Sequence, residues 1–318
     1  MKLSIVAFLF LYASVCAAER TPHGQDAEGI SADYPVELDV LREDLDDQKR
    51  FERRARAFEK LHVVIARGYY LQARQLEEKG ETEGALAASQ KAQHHLQTAK
   101  KAYDMGLATF DRSAVLHNYY GELVHDFFGR PNEAAQHWRR AVQVDSGLAR
   151  AHGNLGMYAM HNGMYAMGMT SMDRALELEP NNPDFLFNMA QVYLAHFPHI
   201  MQVRKWDRAK VYREAMKLSA RATRFAPTDF DVLRDYALNY FVGEEFGVNV
   251  KWRNAARAWA EARKHARTDA ERFNAWLNEA RVHNRNNDKR RARECLERAR
   301  AIWPDSPIVQ QLIDDFRE

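Results

Sequence analysis

The stretch of the sequence most suggestive of chemistry is GMYAMHNGMYAMGMTSM, where six methionines and a histidine lie within sixteen residues. Thioether and imidazole groups are ligands that suit copper(I). These residues are Met157, Met160, His161, Met164, Met167, Met169 and Met172. Helical spacing places Met172 on a packed face, whereas Met157, Met160 and His161 lie on another, so they cannot all converge on one ion. We interpret them as adaptable packing and contact residues, with copper or small-ligand binding as the alternative.

Two other patterns are weaker candidates for ion binding. His196 and His199 flank Pro198, which predicts a surface loop without a nearby acidic or cysteine ligand. The basic residues at 289–291, 293, 298 and 300 are interspersed with Asp288, Glu294 and Glu297, which is typical of a solvated helix face. The sequence contains no Gly-rich phosphate loop, no paired metalloprotease histidines and no nucleophile elbow. We therefore predict no enzyme activity, no catalytic residue, no cofactor and no metal site.

The composition indicates a folded, helical chain with no nucleic-acid partner. Of 318 residues, 46% are hydrophobic, and 46 basic residues nearly balance 44 acidic ones. This balance gives no reason to expect nucleic acid or an anionic membrane as a partner. The 15 glycines and 9 prolines are few for this length, which favours helices joined by short turns.

The first eighteen residues have the pattern of a secretory signal peptide. Lys2 precedes an apolar run from Leu3 to Val15, and small residues end with Ala18, where cleavage is expected. The run is shorter than the ~20 residues that span a bilayer as a helix. The sequence therefore predicts export, to the periplasm or the secreted space.

Cys16 leaves a second possibility open, because it could carry the lipid anchor of a bacterial lipoprotein. Val15 fits that signal poorly, since a small residue is usual there. If Cys16 is removed with the signal, Cys295 is the single remaining cysteine. The mature chain then has no internal disulfide, and its fold must rest on packing alone.

Small residues recur at a fixed period. Gly156 and Ala190 are 34 residues apart, as are Ala141 and Ala175, and Gly156 precedes Ala175 by 19. A period near 34 is typical of stacked helix pairs. Small residues at matching positions let paired helices approach closely, where a larger side chain would hold them apart.

Residues 149–183 resemble the tetratricopeptide repeat family, through the pair Leu155-Gly156, the turn Asn162-Gly163, Ala175 and the closing Pro180. Residues 270–307 and 76–92 resemble it as well. The resemblance implies an all-α fold: a right-handed superhelical solenoid of about six helix pairs, with an extra N-terminal helix and a C-terminal capping helix.

The resemblance also predicts the domain organisation. After the signal peptide (1–18) come a flexible leader (19–34), a charged N-terminal helix (35–65), the repeat solenoid (66–304) and the capping helix (305–318), with Ser306 as N-cap. The first unit has an overlong second helix, to about Ala108, and insertions at 196–208 and 242–252 stretch the fourth and fifth units. The units are placed near 66–113, 114–148, 149–182, 183–229, 230–269 and 270–304.

The family binds partners in a concave groove lined by the first helix of each unit, and the resemblance places a set of side chains there. The groove is predicted to be polar at its ends and apolar in the middle, which suits a peptide with an apolar centre. The predicted groove residues are Tyr70, Arg74, Asn118, Glu122, His125, Arg150, Met157, Met160, His161, Phe187, Gln191, Leu194, Arg234, Phe241 and Arg281.

The two insertions form a second predicted contact surface. Trp206, Phe246 and Trp252 are aromatic anchors of the kind that dominate interfaces, although they could equally seal enlarged turns. The sequence thus predicts an exported interaction scaffold or assembly factor that binds a protein or peptide partner.

Overall fold

The structure is a computed structural model that describes residues 38–316. Every regular element in that range is a helix, which confirms the all-α prediction. The predicted signal peptide, the leader and Cys16 lie outside the described residues. None of the described helices is long and apolar enough to cross a membrane. The chain divides into two compact units, residues 38–178 (the N-terminal unit) and 179–316 (the C-terminal unit).

The N-terminal unit consists of three antiparallel helix pairs, α1/α2, α3/α4 and α5/α6, preceded by a short 3-10 helix, Leu38–Asp44. The second helix of the first pair is long, as predicted, and ends at Thr109. The helices are α1 Gln48–Glu78, α2 Thr82–Thr109, α3 Ala114–Phe128, α4 Pro131–Val144, α5 Ala149–His161 and α6 Tyr165–Leu178.

Helix α1 corrects the predicted start of the repeats. The boundary expected between residues 65 and 66 lies inside this single 31-residue helix. Phe51, Phe58 and Ala66 continue one buried stripe across it, because their helical spacing keeps them on the face that packs against α2. The predicted extra helix is therefore the first half of α1, and Asp47 caps its N-terminus by accepting from the Arg50 amide.

The C-terminal unit also contains three helix pairs, α7/α9, α10/α11 and α12/α13, followed by the capping helix α14. A 3-10 helix, Gly243–Phe246, lies within the second predicted insertion, and Ser306 occupies the predicted N-cap position. The helices are α7 Pro183–Ala195, α8 Phe197–Arg204, α9 Arg208–Phe225, α10 Phe230–Leu238, α11 Trp252–Lys264, α12 Asp269–Arg285, α13 Lys289–Ile302 and α14 Pro307–Asp315.

The first insertion is a helix and not the predicted loop. Pro198 occupies the second position of α8. The first N–H groups of a helix have no partner within the helix, so proline at this position costs no helical hydrogen bond. Lys205 ends the helix in the left-handed conformation, with a φ of 55°. The insertion thus adds a short helix between the two helices of one pair.

Small residues set the helix spacing, as the repeat predicts. A Cβ built on Gly156 would lie 2.5 Å from Met172 Cγ and 3.1 Å from the Met172 backbone nitrogen. A Cβ on Gly168 would lie 3.0 Å from the Gly156 carbonyl oxygen. The backbones of α5 and α6 are therefore in direct contact, and Ala175 completes the buried contact face.

We expect Gly156→Ala to lower the free energy of unfolding by about 1–3 kcal/mol, because the added methyl group overpacks this crossing. Gly68 is the matched control: it lies inside α1, and a Cβ there would meet nothing within 4 Å. Gly68→Ala should raise stability by about 0.5–1 kcal/mol. Urea unfolding followed by circular dichroism measures both. Equal effects of the two substitutions would contradict the close crossing.

Candidate functional site

A polar network centred on Glu122 lies in the N-terminal unit. Arg56 Nη2 donates to Glu122 Oε2 at 2.9 Å, and Arg56 Nη1 donates to Glu59 Oε2 at 2.6 Å. Asn118 Nδ2 donates to Glu122 Oε1 at 2.9 Å. Helices α1 and α3 are thereby linked through side chains that are mostly removed from solvent.

Helix α5 joins the same network. Asn154 Nδ2 donates to Asn118 Oδ1 and to Glu122 Oε1, both at 3.1 Å. Arg150 Nε lies 3.6 Å from Glu122 Oε1 and stays half exposed. Three predicted groove residues, Asn118, Glu122 and Arg150, are thus brought together by the fold. Most of their hydrogen-bonding capacity is used inside the protein.

Sequence reasoning missed Asn154 and Arg56. Asn154 follows Asn118 by 36 residues, on the first helix of the next pair. The recurrence of asparagine on the first helix of successive pairs could have identified Asn154. Arg56 lies 66 residues before Glu122 on α1, and no local pattern links them.

Burial controls the electrostatics of this network. Burial alone would lower the pKa of Arg56, but the carboxylates of Glu59 and Glu122 raise it above its usual value. Burial also raises the pKa of Glu59, against the opposing effects of Arg56 and of Tyr103, whose hydroxyl donates to that carboxylate. The Arg56 guanidinium further lies 4.2 Å from the Tyr119 ring centroid. Arg56 is therefore the cation that makes two desolvated carboxylates tolerable.

The other predicted groove residues of this unit are scattered. Tyr70 and Arg74 are exposed near the end of α1. His125 pairs with Asp126 at 2.8 Å. Burial, together with the charge of His125, lowers the pKa of His161.

The methionine stretch divides between the core and the surface. Met160, Met169 and Met172 are at most 3% exposed and pack between α5 and α6. Met157 is half-buried, and Met167 is exposed. The prediction that Met160 lines an open groove is wrong, because its side chain fills the space beside Gly168.

A pocket of about 520 Å³ lies in the C-terminal unit where helix α8 is inserted. Its apolar wall comes from α8 and the following turn, and two cationic side chains lie at its rim. The lining residues are Phe197, Pro198, Met201, Gln202, Lys205, Trp206 and Arg208.

Two cations lie against the aromatic rings of this pocket: Arg208, which lines it, and Lys210, which does not. The Arg208 guanidinium is 4.7 Å from the Phe197 ring centroid, and Lys210 Nζ is 4.8 Å from that of Trp206. Arg208 also donates to the Glu245 carbonyl at 2.9 Å, which fixes its position. Such contacts hold the rings in place and leave the ammonium group of Lys205 in solvent.

Among the three predicted insertion anchors, only Trp206 lines this pocket. Phe246 is 2% exposed and packs on Phe197, with 4.9 Å between ring centroids, so its prediction as a contact residue is wrong. Trp252 is half-buried against Phe241, at 5.8 Å. These two aromatics seal the second insertion, which was the alternative left open.

The predicted groove residues of the C-terminal unit do not form an open polar surface. Leu194 is buried, so its prediction as a contact residue is wrong. Phe187 and Gln191 are half-buried. Arg234 is 13% exposed and bonds Asp231 at 2.7 Å, and Arg281 donates to Asn278 at 3.0 Å.

Antiparallel helix pairs joined by short turns, with glycine and alanine at the contacts within pairs, define a helical-repeat protein. Two sequence models of the tetratricopeptide repeat match residues 149–182 and 172–210. Residues 149–210 therefore carry the tetratricopeptide repeat pattern. A search of curated protein sequences finds no match.

Solved structures show the same fold. YrrB, described as a TPR protein with an unusual peptide-binding site, has 16% identity and a TM-score of 0.50, covering 68% of this chain and 99% of its own. The C-terminal part of a TPR repeat-containing protein from Cytophaga hutchinsonii has 15% identity and a TM-score of 0.52, covering 86% of this chain and 98% of its own. At these identities the likeness concerns the fold alone.

We expect Arg56→Met to lower the free energy of unfolding by about 3 kcal/mol, because Glu59 and Glu122 lose their shared cation. Arg150→Met is the control: its half-exposed side chain contacts the same Glu122, and its loss should cost about 0–1 kcal/mol. Chemical denaturation of each variant measures the difference. Two equal losses would show that Arg56 is not the cation that holds the network together.

Proposed function

We propose that the protein is an exported interaction scaffold that holds a partner segment in the pocket beside helix α8. The observation that supports this most directly is the composition of that pocket. An aromatic and apolar wall is rimmed by Lys205 and Arg208, and none of its lining residues is acidic. This combination suits a protein segment that places an apolar side chain next to a carboxylate.

The position of α8 supports a binding role. A tetratricopeptide unit needs two helices, so α8 is additional to the repeat, and insertions in such arrays often contact partners. Its Val203 side chain is 38% exposed, and Trp206 and Met201 are only partly covered. Partly covered tryptophan beside basic side chains is typical of residues that contribute most to binding energy.

In this proposal the Glu122 network has a structural role in the N-terminal unit. Its polar groups are largely satisfied by one another, so it stiffens the first helices of the pairs. On α5, Arg150 is half exposed and Met157 half-buried, and they offer a second candidate contact surface. YrrB, which shares the fold, is described as peptide-binding, and this agrees with a peptide ligand.

Binding is tested by capturing partners on the immobilised mature chain and then measuring the affinity of the captured protein for variants. Trp206→Ala should weaken binding at least tenfold, since it removes the aromatic wall. Lys205→Glu should weaken it through charge repulsion, with a smaller effect at high salt.

Phe225→Ala is the matched control, because Phe225 is 46% exposed on α9 and does not line the pocket. Its affinity should equal that of the wild type. Unchanged affinity of Trp206→Ala and Lys205→Glu would refute the pocket. A loss confined to Arg150→Glu and Met157→Glu would transfer the site to the N-terminal unit.

Export belongs to the same proposal and rests on the pattern of residues 1–18. The expected mature protein begins at Glu19 and is found outside the cytoplasm. Intact-mass analysis of fractionated cells checks this. A chain that retains residues 1–18 in the cytoplasm contradicts export, and a lipid-bearing Cys16 supports the lipoprotein alternative.

A further inference from the structure

Three side chains that bind metals lie together in the core of the C-terminal unit. Glu279 and His283 are four residues apart on α12, which places them on one helix face. Cys295 reaches the same place from α13. All three residues are at most 7% exposed. A carboxylate oxygen, an imidazole nitrogen and the sulfur all lie within 4.8 Å of one another.

One nitrogen of the His283 imidazole has no partner. Its Nδ1 atom is buried without a partner. Its Nε2 atom is 3.8 Å from Glu279 Oε1, which is too long for a hydrogen bond. Buried polar side chains are nearly always paired. The protein itself provides no partner for this Nδ1 atom.

Arg263 contacts only one member of the cluster. Arg263 Nε donates to Glu279 Oε2 at 2.9 Å, and its guanidinium lies 3.7 Å from the Trp276 ring centroid. That contact orients the carboxylate and leaves Oε1 directed toward His283. The Arg263 contact accounts neither for the unpaired Nδ1 of His283 nor for the Cys295 thiol that lies beside two ionisable groups.

We propose that Glu279, His283 and Cys295 form a binding site for one divalent transition-metal ion, and that Zn²⁺ is the ion best matched to this ligand set. Thiolate, imidazole and carboxylate are the three ligand types that zinc accepts in proteins. Arg263 then acts as the outer partner that holds the ligating carboxylate by its other oxygen. This site departs from the sequence-based expectation of no metal.

The distances fit a tetrahedral ion after small side-chain movements. Metal–ligand bonds of about 2.0–2.3 Å place the ligand atoms roughly 3.3–3.6 Å apart. The three ligand atoms lie within 4.8 Å of one another, so side-chain movements of roughly 1 Å bring them to this spacing. Three protein ligands leave a fourth position for water. The ion would fasten α12 to α13 within the last helix pair.

Spacing alone does not define this site, as a second pair in the same unit shows. Glu261 on α11 and His265, the residue that follows this helix, are also four residues apart, with 3.5 Å between Nε2 and Oε1. Their side chains are 27% and 46% exposed, and no third ligand forms a described cluster with them. His265→Gln is therefore the matched control.

The test is titration of the chelator-treated full chain with Zn²⁺ alone, followed by calorimetry. We expect saturation at one ion per chain and a rise in Tm on zinc addition, since an ion bound to the folded state stabilises it. Cys295→Ser and His283→Gln should each weaken binding at least tenfold. His265→Gln should bind as the wild type does.

Cobalt(II) provides a readout that does not depend on the stability of the variants. In the wild type it should show tetrahedral d–d bands and a thiolate-to-metal charge-transfer band, and the latter should vanish in Cys295→Ser. Absence of saturable zinc binding, or a cobalt spectrum without the charge-transfer band, overturns the proposal. Zinc affinity equal to that of the wild type in both Cys295→Ser and His283→Gln also overturns it.

Discussion

The close approach of paired helices is the constraint on which the rest of this structure depends. At Gly156 and Gly168 the backbones of α5 and α6 touch, and alanines such as Ala141 and Ala175 occupy corresponding contacts with almost no exposure. Contacts this short leave no space for larger side chains between the helices. The large apolar residues therefore fill the layers around each contact, and each unit forms its own core.

This close packing determines where binding groups can lie. Side chains near a helix contact are buried, whatever their chemistry, and so Met160 and Leu194 belong to the core. An element added to the two-helix pattern escapes that restriction. Helix α8 is such an element, and its apolar side chains form the pocket together with Lys205, Trp206 and Arg208, which follow it. The most accessible binding chemistry therefore lies where the repeat is interrupted.

Polar groups buried inside the pairs are subject to a second constraint. Each needs a hydrogen-bond partner, because burying a polar group without one is unfavourable. The Glu122 network meets this requirement within the protein, through Arg56, Asn118 and Asn154. The cluster around His283 does not, because the buried Nδ1 atom of its imidazole has no partner. The two sites contrast a structural polar network with a ligand set that is incomplete without an ion.

The sequence by itself determined the helical class, the period, the small residues at the contacts, the long second helix and the start of the last helix after Ser306. These features are local, because helix propensity, spacing and turns act over a few residues. Only the tertiary structure decided which residues of a helix face lie in the core, that α8 is a helix, and that Arg56 reaches Glu122. It also brought Cys295 to Glu279 and His283. Such contacts join side chains distant in sequence, and the packing of several helices decides them.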